Sequence, residues 1–397
     1  MKFGHIWDCD LGSWRKRELR KLNLESFAKA IEESIKEGVD FAIISGDLFD
    51  SAYPSVEILE EAFSQLRKLK EEGIECYYIA GSHDYSASGK TFLSVLEKAG
   101  FCKNMFRPEA KPGTSKNNTN EKIFLNPVHH GGVALYGYPG KKSGMEVDEL
   151  KNIKLQGSPG LFRIFALHTT IHGAGKDLPI ETVKEDKLPE AEYYALGHLH
   201  IDYEEGKYVY AGPTFPNNFK ELEELEHGSF YIVNTDPFKV EKKELDIREI
   251  VVVDLEIENA LTAKDKIISK LNKKELKDKI VLVKLCGQLK QGKISNINFK
   301  EIENFVKSQD AYSLLKSTSG LEAEEPEFDV EVENMEKLEK EIIEKYKKEN
   351  PSHFNELIQP LVSSLNVDKR EDETNDDFEN RISEEINNIF NLEEDDN

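Results

Sequence analysis

The sequence has few of the features that mark secreted, zinc-binding or membrane-spanning chains. Its 397 residues include only four cysteines, Cys9, Cys76, Cys102 and Cys286, and no two of them form a CxxC pair. That spacing argues against a structural zinc site or a disulfide framework, so we expect reduced, mostly buried thiols. No stretch approaches the roughly 18 consecutive apolar residues of a transmembrane helix, and the N-terminus lacks a signal-peptide layout. We therefore expect a soluble, cytoplasmic protein that does not enter a membrane.

Positive charge is also scarce. The chain has 53 Lys and Arg against 76 Asp and Glu, which gives a formal net charge of -23 at pH 7. Such a surface repels nucleic acid on average, unless lysine and arginine are gathered in one place. One stretch gathers them together with an aromatic side chain, namely Trp14, Arg15, Lys16, Arg17 and Arg20. It predicts either a contact with nucleic-acid phosphates or an ordinary solvated helix start.

Residues 1–240 predict a layered α/β domain. Short apolar runs alternate with helical patterns around Leu22–Glu37 and Val56–Glu72, and later strands are predicted at VALYGYP, FRIFALH, YYALGHLH, KYVYAG and SFYIVN. We expect two stacked mixed β-sheets with helices outside. Lys111–Glu121 is rich in Pro, Gly, Asn, Ser and Thr, which predicts a surface loop.

Three smaller units are predicted to follow. Residues 245–320 show a β-α-β-α pattern typical of a small α+β domain, and residues 321–350 read as a charged tether and a helix. In residues 353–392, apolar side chains recur at helical spacing in two stretches, Leu357, Ile358, Leu361 and Leu365, then Phe378, Ile382, Ile386, Ile389 and Phe390. A helix pair with such stripes is typical of a docking element for a partner. An acidic disordered tail is the alternative.

Acidic and imidazole side chains stand where the predicted strands of the first domain end. They are Asp8 and Asp10 after the first strand, Asp47 after the second, Ser82, His83 and Asp84 after the third, His168 after FRIFALH, and His198 and His200 after YYALGHLH. Residues two apart on a strand point to the same side, so each pair is expected to face one site. The carboxyl ends of strands are where sites form in α/β sheets.

The chemistry of this set predicts hard metal ions. Oxygen and imidazole ligands without thiolates favour Mn²⁺, Mg²⁺ or Fe over a structural zinc. A pair of such ions about 3.5–4 Å apart is what hydrolysis of a phosphodiester by an activated water requires.

The order DxD, GDLFD, GSHD, a lone His and GHLH resembles the five motifs of the calcineurin-like metallophosphoesterases. HIWDCDLG, SGDLFDS, and YYALGHLH followed by YAGPT further resemble the archaeal and SbcD-type nuclease subunits of DNA double-strand-break repair. That resemblance implies a Mn²⁺-dependent DNA exonuclease and endonuclease, nucleoid-associated and homodimeric. It also implies that the small domain caps the site and selects DNA, and that the C-terminal helix pair binds the coiled coil of an SMC-like ABC ATPase.

The resemblance also implies a role for each site residue. One metal ion is assigned to Asp8, Asp10, Asp47 and His200, and the other to Asp47, Ser82, His168 and His198, so that Asp47 bridges them. His83 is assigned the protonation or stabilisation of the leaving oxygen, and Asp84 its orientation. The dimer contact is expected on the helix Val56–Leu69, at Val56, Ile58, Leu59, Phe63, Leu66 and Leu69.

Two positions depart from the family pattern. Asp10 stands where the first motif normally has His, which adds negative charge and implies a changed metal preference. Ser82 stands where the third motif normally has Asn, and its hydroxyl is a shorter, poorer ligand than an amide oxygen. Two alternatives therefore stay open: a small-molecule phosphodiesterase of the same superfamily, and a scaffold that has lost its metal site and only binds the ATPase.

Overall fold

The computed structural model describes residues 1–84, 91–109, 122–141, 146–174 and 181–323, and beyond them residues 340, 343–344, 346–348, 352–367 and 375–390. The chain forms two units, Met1–Glu324 and Glu325–Asn397. The predicted loop at Lys111–Glu121 and much of the predicted tether lie outside the described residues. Among the described residues, no helix is both long and apolar enough to cross a membrane.

The first large sheet has six strands in the order β14-β13-β1-β2-β3-β4. Their bounds are β1 Lys2–Ile6, β2 Phe41–Ser45, β3 Glu75–Ile79, β4 Lys103–Asn104, β13 Gly228–Thr235 and β14 Phe238–Leu245. The strands β1 to β4 are parallel, and β13 and β14 add an antiparallel hairpin. The four parallel strands therefore present their carboxyl ends at one edge.

The second large sheet also has six strands, in the order β11-β12-β10-β9-β7-β6. Their bounds are β6 Val128–His130, β7 Val133–Tyr138, β9 Phe162–His168, β10 Tyr193–Gly197, β11 Asp202–Glu205 and β12 Tyr208–Ala211. The inner strands β7, β9, β10 and β12 are parallel. A two-stranded parallel sheet, β5 Ile123–Leu125 with β8 Ile153–Leu155, lies apart from both.

Alternation along the central strands explains the layers. On β2, Phe41 and Ile43 pack between the two large sheets, while Ala42 and Ile44 point outward to a second core. That outer core is covered by α1 (Arg17–Lys36) and α2 (Val56–Glu71), and the remaining helices of the body are α3 (Phe92–Lys98), α4 (Glu146–Leu150) and α5 (Phe219–Leu225). The predicted fold class, two stacked mixed sheets flanked by helices, is confirmed.

Residues 250–323 form the small domain, a β-α-β-α-β unit. Its bounds are β15 Ile250–Glu256, α6 Ala260–Leu271, β16 Ile280–Leu289, α7 Phe299–Ser308 and β17 Ser313–Ala323, and its three strands are parallel in chain order. The last strand was not predicted, because SLLKSTSGLEA is too polar to stand out as a buried strand.

The small domain packs on the body through one face of its sheet. On β16, Val281 and Val283 face α6 and α7, whereas Ile280 and Leu282 share a core with the body. The body contributes to that core through Trp14, Leu19, Leu22, Phe215 and Leu222. The predicted division of the chain near residue 240 stays a prediction, since body and small domain lie in the same unit.

Two helices are found in the second unit where the apolar pattern predicts them, α8 (Ile358–Leu365) and α9 (Asn375–Phe390). They contact each other, and a short 3₁₀ segment, His353–Leu357, precedes them. Their apolar stripe stays partly open, with Leu365 61% and Phe390 39% exposed. The residues that join them, 368–374, lie outside the described part of the chain.

Candidate metal centre

Most of the predicted ligands lie on turns just beyond the strands, and His168 is the last residue of β9. Strand β1 ends at Ile6 and strand β10 at Gly197, so Asp8, Asp10, His198 and His200 are not strand residues. Strand alternation is therefore the wrong reason for expecting the two members of each pair to face one site. These side chains converge because the turns are tightly bent.

Four of the turn residues adopt backbone angles that L-residues rarely take. The φ angle is 33° at Asp8, 40° at Asp10, 44° at Asp47 and 101° at His198. Such conformations cost free energy and persist only where the surrounding structure holds them, and they cluster at functional sites.

The buried half of the site consists of Asp8, Asp47 and His168, whose ligand atoms all lie within 4.8 Å of one another. His168 Nε2 lies 3.1 Å from Asp47 Oδ2, and His168 Nδ1 lies 3.6 Å from Asp8 Oδ1. All three side chains are almost completely buried. Two carboxylates and an imidazole at this spacing can surround one cation.

Glycines make room for this half. A Cβ atom at Gly46 would lie 2.1 Å from His168 Nδ1, and one at Gly81 would lie 2.2 Å from Asp47 Oδ1. Gly46 also has a φ of 106°, which glycine adopts without strain. The glycines of SGD and GSHD are therefore required for the imidazole and the carboxylate to approach.

The open half of the site consists of Asp10, Asp50 and His83, which form a second group of ligand atoms within 4.8 Å. His83 Nδ1 lies 3.7 Å from Asp10 Oδ1, 3.5 Å from Asp50 Oδ1 and 3.2 Å from the Asp50 carbonyl oxygen. Asp10 is buried, whereas His83 and Asp50 are exposed. The imidazole of His83 therefore stands at the rim, where a substrate can reach it.

His200 joins the two aspartates of the first motif. Its Nε2 lies 3.2 Å from Asp8 Oδ2 and 3.3 Å from Asp10 Oδ2, and its Nδ1 lies 3.0 Å from Glu221 Oε1. Asn217 donates its amide to Asp10 Oδ2 at 2.6 Å. A carboxylate behind a ligating imidazole fixes its tautomer and orientation.

Ser82 and His198 complete the convergence. The Ser82 hydroxyl donates to Asp47 Oδ2 at 3.4 Å, and the backbone N–H of His198 donates to Asp8 Oδ2 at 3.1 Å. The ring of His198 lies edge-on to that of His168, with centroids 5.1 Å apart. The sequence-predicted residues are thus brought to one edge of the stacked sheets.

Asp84 has a different environment from the one expected. Its buried carboxylate accepts hydrogen bonds from the backbone N–H groups of Leu48, Phe49 and Gly81 at 3.1–3.2 Å. Asp84 therefore ties the turn after β2 to the turn after β3, and the carboxylates beside the His83 ring are those of Asp50 and Asp10.

Sequence reasoning missed two contributors, Glu221 and Asn217. Asn218 caps α5 by accepting from the backbone N–H of Glu221, and the sequence NNFKE carries that helix-start signal. The signal predicts a helix but not that the helix lies against His200, because that contact depends on how α5 packs.

Electrostatics show that the site demands positive charge. Burial opposes protonation of His168, but the carboxylates of Asp47 and Asp8 outweigh it and raise its pKa. Burial likewise opposes protonation of His200. The hydrogen bonds to Asp10, Asp8 and Glu221 outweigh burial and raise the pKa of His200. Without metal, the carboxylates thus hold protons on both imidazoles, which a cation would replace on binding.

The donor atoms fit the metal pair that such a set implies. Asp8 Oδ1 and Asp10 Oδ1 are buried without a hydrogen-bonding partner among the described residues. Buried polar atoms are normally satisfied, and oxygen and imidazole ligands suit divalent ions such as Mn²⁺ and Mg²⁺. These two unpartnered carboxylate oxygens are the structural sign of a cation site.

The basic stretch after the first motif is partly used in packing. The Trp14 side chain is largely buried and donates to the Pro216 carbonyl at 2.9 Å, and Arg20 Nε donates to the Trp14 carbonyl at 2.9 Å. Lys16 donates to the carbonyl of Leu314 in the small domain. Arg15 and Arg17 remain exposed.

Comparison with known proteins gives the family of this arrangement. Residues 5–202 match the family described as calcineurin-like phosphoesterase. The DNA double-strand break repair protein Mre11 of Methanopyrus kandleri is 29% identical over 254 residues, covering 59% of this chain and 54% of that protein. The Mre11 proteins of Archaeoglobus fulgidus and Sulfurisphaera tokodaii are 25% and 28% identical, over 72% and 76% of this chain and 68% and 77% of theirs. The chain thus spans only about half the length of the first of these relatives.

These matches confirm the predicted family and the predicted class of enzyme, a metal-dependent phosphoesterase. Through residues 5–202, the chain belongs to the calcineurin-like metallophosphoesterases, a family that uses a pair of divalent metal ions.

Proposed function

We propose that this chain is a metal-dependent DNA nuclease, an exonuclease and endonuclease that acts in double-strand-break repair. The observation that carries the proposal is the meeting of a buried Asp8–Asp47–His168 cluster with an exposed His83 at one edge of the sheets. The relatives named as Mre11 support DNA as the substrate. A cytoplasmic, nucleoid-associated location follows from that substrate.

Asp47 is proposed to bridge the two metal ions, which we expect to be Mn²⁺ in preference to Mg²⁺ or Fe. Asp8, Asp10 and His200 would complete one site, and Ser82, His168 and His198 the other. When bound, the ions would supply positive charge that activates water and neutralises charge on the reacting oxygens. Hydrogen bonds hold both oxygens of Asp47 in place for this role. The backbone N–H of His83 donates to Oδ1 at 2.8 Å, and the hydroxyl of Ser82 donates to Oδ2.

His83 is proposed to give a proton to the leaving oxygen. In the metal-free site, the hydrogen bond to Asp50 raises the pKa of His83 to about 9, which favours the protonated ring that a proton donor requires. Because Nδ1 faces Asp50, Nε2 is the nitrogen that can reach the substrate. Asp50 would then position the ring, while Asp84 positions the turn that carries it.

Asp10 is proposed to work as a carboxylate ligand in place of the family's histidine. The amide of Asn217 and the ring of His200 both contact Asp10 Oδ2, at 2.6 and 3.3 Å. These contacts aim the carboxylate into the site and leave its Oδ1 without a hydrogen-bond partner among the described residues. That arrangement supports a working site over a decayed one.

The direct test is digestion of end-labelled linear DNA by the purified chain. We expect cleavage with Mn²⁺ and none with a chelator, and an Asp47→Asn variant purified in the same way should be inactive. Equal cleavage by both proteins would show a contaminating nuclease. No cleavage by the wild type, with hydrolysis of a small phosphodiester retained, would replace this proposal by the small-molecule phosphodiesterase.

The C-terminal helix pair is proposed to bind the coiled coil of an SMC-like ABC ATPase. Its support is the partly exposed apolar stripe of α8 and α9, which includes Leu365 and Phe390. Truncation after Ser352 should abolish association with the ATPase and leave Mn²⁺-dependent cleavage of short DNA intact. Undiminished co-purification of the truncated chain would contradict the docking role.

A homodimer is proposed through the outer side of α2. Ile58, Leu59, Leu66 and Leu69 are buried within the chain, so they are not available to a partner. Phe63 is half-buried and packs against Phe101, with ring centroids 5.7 Å apart, which leaves Val56, 70% exposed, as the apolar candidate with an open surface. A Val56→Glu variant should shift the mass measured by light scattering to that of a monomer, and an unchanged dimer would exclude this surface.

A further inference from the structure

The charge of the chain is not evenly distributed. Residues 250–323 contain 13 lysines against ten Asp and Glu, a net charge of +3 in a chain whose total is -23. Seven of those lysines fall between residues 264 and 279, together with three acidic residues. The small domain is therefore a positive region on an acidic protein, and its positive charge is concentrated in one segment.

That segment covers one flank of α6 and the turns that follow it. Ala263, Ile267 and Leu271 form the buried stripe of the helix, and Lys264 on one flank pairs with Glu301 of α7 at 2.7 Å. The opposite flank carries Lys266 and Lys270, which are four residues apart and so are neighbours. Lys273, Lys274 and Lys277 extend the same surface, and we name these five side chains the lysine tract.

The positive charge of the lysine tract is not neutralised locally. The three acidic residues of the segment are each engaged by another cation: Asp265 by Lys264 at 3.4 Å, Glu275 by Lys279 at 3.8 Å and Asp278 by Arg248 at 3.6 Å. The five lysines are all exposed and make no ion pair with any described residue.

The tract lies on the side of the small domain turned away from the body. The sheet contacts the body through Ile280 and Leu282, and α6 packs on the opposite face with Val281 and Val283. Lys266 and Lys270, on α6, are thus separated from the metal centre by the small sheet, and Lys273, Lys274 and Lys277 lie on the turns that lead from α6 into β16. Between residues 266 and 277, all of them described, no large apolar side chain is exposed.

We propose that the lysine tract binds the phosphate backbone of DNA outside the metal centre. Exposed lysines without aromatic or apolar neighbours suit sequence-independent contact with phosphates, and they do not suit base stacking or an apolar protein interface. The inference rests on the proposed nuclease function and deepens it. The tract would hold DNA that extends beyond the active site, against the repulsion of the acidic body.

The test is charge reversal in the full chain, with Lys266→Glu, Lys270→Glu and Lys273→Glu combined. Affinity for a fluorescent duplex is measured by anisotropy in chelator, across a series of salt concentrations. We expect at least about tenfold weaker binding at roughly 0.15 M salt, and a slope of log K against log salt that is shallower by about 2–3. Metal-dependent hydrolysis of bis(p-nitrophenyl) phosphate should be unchanged.

The matched control carries the same change in net charge elsewhere, as Lys98→Glu, Lys154→Glu and Lys184→Glu. These lysines are exposed on separate elements of the body, and no described residue forms an ion pair with them. The control should keep most of the wild-type affinity and slope, which would locate the effect in the tract.

Wild-type affinity and slope in the tract variant would overturn the proposal, as would equal losses in variant and control. Absence of any duplex binding by the wild type would overturn it too. The nuclease function fails on a different result, when wild type with Mn²⁺ hydrolyses the small diester but leaves linear DNA intact. A tract variant that loses binding to an acidic protein, with DNA affinity unchanged, would assign the surface to a protein partner instead.

Discussion

The two halves of the metal centre are built differently. Asp8, Asp47 and His168 are almost fully buried; the two aspartates lie on strained turns, His168 ends β9, and Gly46 and Gly81 leave the room in which the three side chains meet. In the other half, Asp10 is buried but His83 and Asp50 are exposed. The comparison indicates that the buried carboxylates and His168 fix the metal ions and that His83 and Asp50 act on the substrate.

Removing the imidazole of the open half should separate chemistry from metal binding. We expect His83→Leu to keep both metal ions and to lower cleavage about 10²–10⁴-fold, as for loss of a proton donor. Metal content by mass spectrometry and single-turnover cleavage are the two readouts. Loss of metal together with activity would make His83 a ligand, and unchanged activity would remove it from the mechanism.

An Asp50→Asn variant tests the role of Asp50 beside His83 without removing the ring. Asp50→Asn should keep the ring of His83 but lower its pKa, because the hydrogen bond to Asp50 is the main cause of the raised value. Cleavage should then be lost at a lower pH than in the wild type as pH rises. An unchanged pH profile would show that Asp50 does not position His83.

Crowding the buried half should cost stability. Gly46→Ala would place a Cβ atom 2.1 Å from His168 Nδ1, whereas Gly38→Ala would meet nothing within 4 Å, although its φ is also positive at 62°. We expect Gly46→Ala to lower the free energy of unfolding by about 1–3 kcal/mol more than Gly38→Ala, since Gly46 combines the crowding with a φ of 106°, which lies outside the left-handed helical region that Gly38 occupies. Urea unfolding in chelator measures this difference. Equal losses of stability in the two variants would mean that the turn at Gly46 shifts to make room for the added methyl group.

His5, on β1, should make the free energy of unfolding depend on pH. It is fully buried, with Nε2 2.7 Å from Ser45 Oγ and Nδ1 2.9 Å from the Tyr193 hydroxyl, and burial lowers its pKa to about 3. Below pH 6.5 the imidazole of His5 binds a proton in the unfolded chain but stays neutral in the folded chain. The contribution of His5 to the free energy of unfolding is therefore fully present above pH 6.5 and falls as the pH drops. The loss attributable to His5 is about 1.4 kcal/mol per pH unit at most. Between pH 6.5 and 5.5, the free energy of unfolding should fall less steeply in a His5→Gln variant than in the wild type. Equal slopes in the two proteins would contradict the assignment to His5.

Restoring the family's ligands should have the smallest effect. We expect Asp10→His with Ser82→Asn to raise activity several-fold at limiting Mn²⁺ and little at saturating Mn²⁺, because the change acts on occupancy. No change at either concentration would mean that the surrounding side chains, such as Asn217 beside Asp10, already compensate.

The buried half was largely predictable from sequence, as were Asp10 and His83 of the open half, but the place of Asp50 beside His83 was not. Strand patterns locate the ends after which Asp47 and His168 stand, because parallel strands share an edge. Asp84 follows His83 directly in the sequence, whereas Asp50 stands 33 residues before it, and only the packed turns decide that the Asp50 carboxylate faces the ring. Glu221, Asn217 and the polar strand β17 depend on packing between distant segments, which local patterns do not encode.

The most direct test of the account is electron paramagnetic resonance of the chain loaded with two equivalents of Mn²⁺. A shared Asp47 carboxylate predicts a spin-coupled pair in the wild type, and in His83→Leu as well, because His83 is not assigned as a ligand of either ion. Asp47→Asn should show only uncoupled or unbound Mn²⁺. Isolated, uncoupled ions in the wild type, or coupling that survives Asp47→Asn, would contradict the claim that the buried half holds a bridged pair.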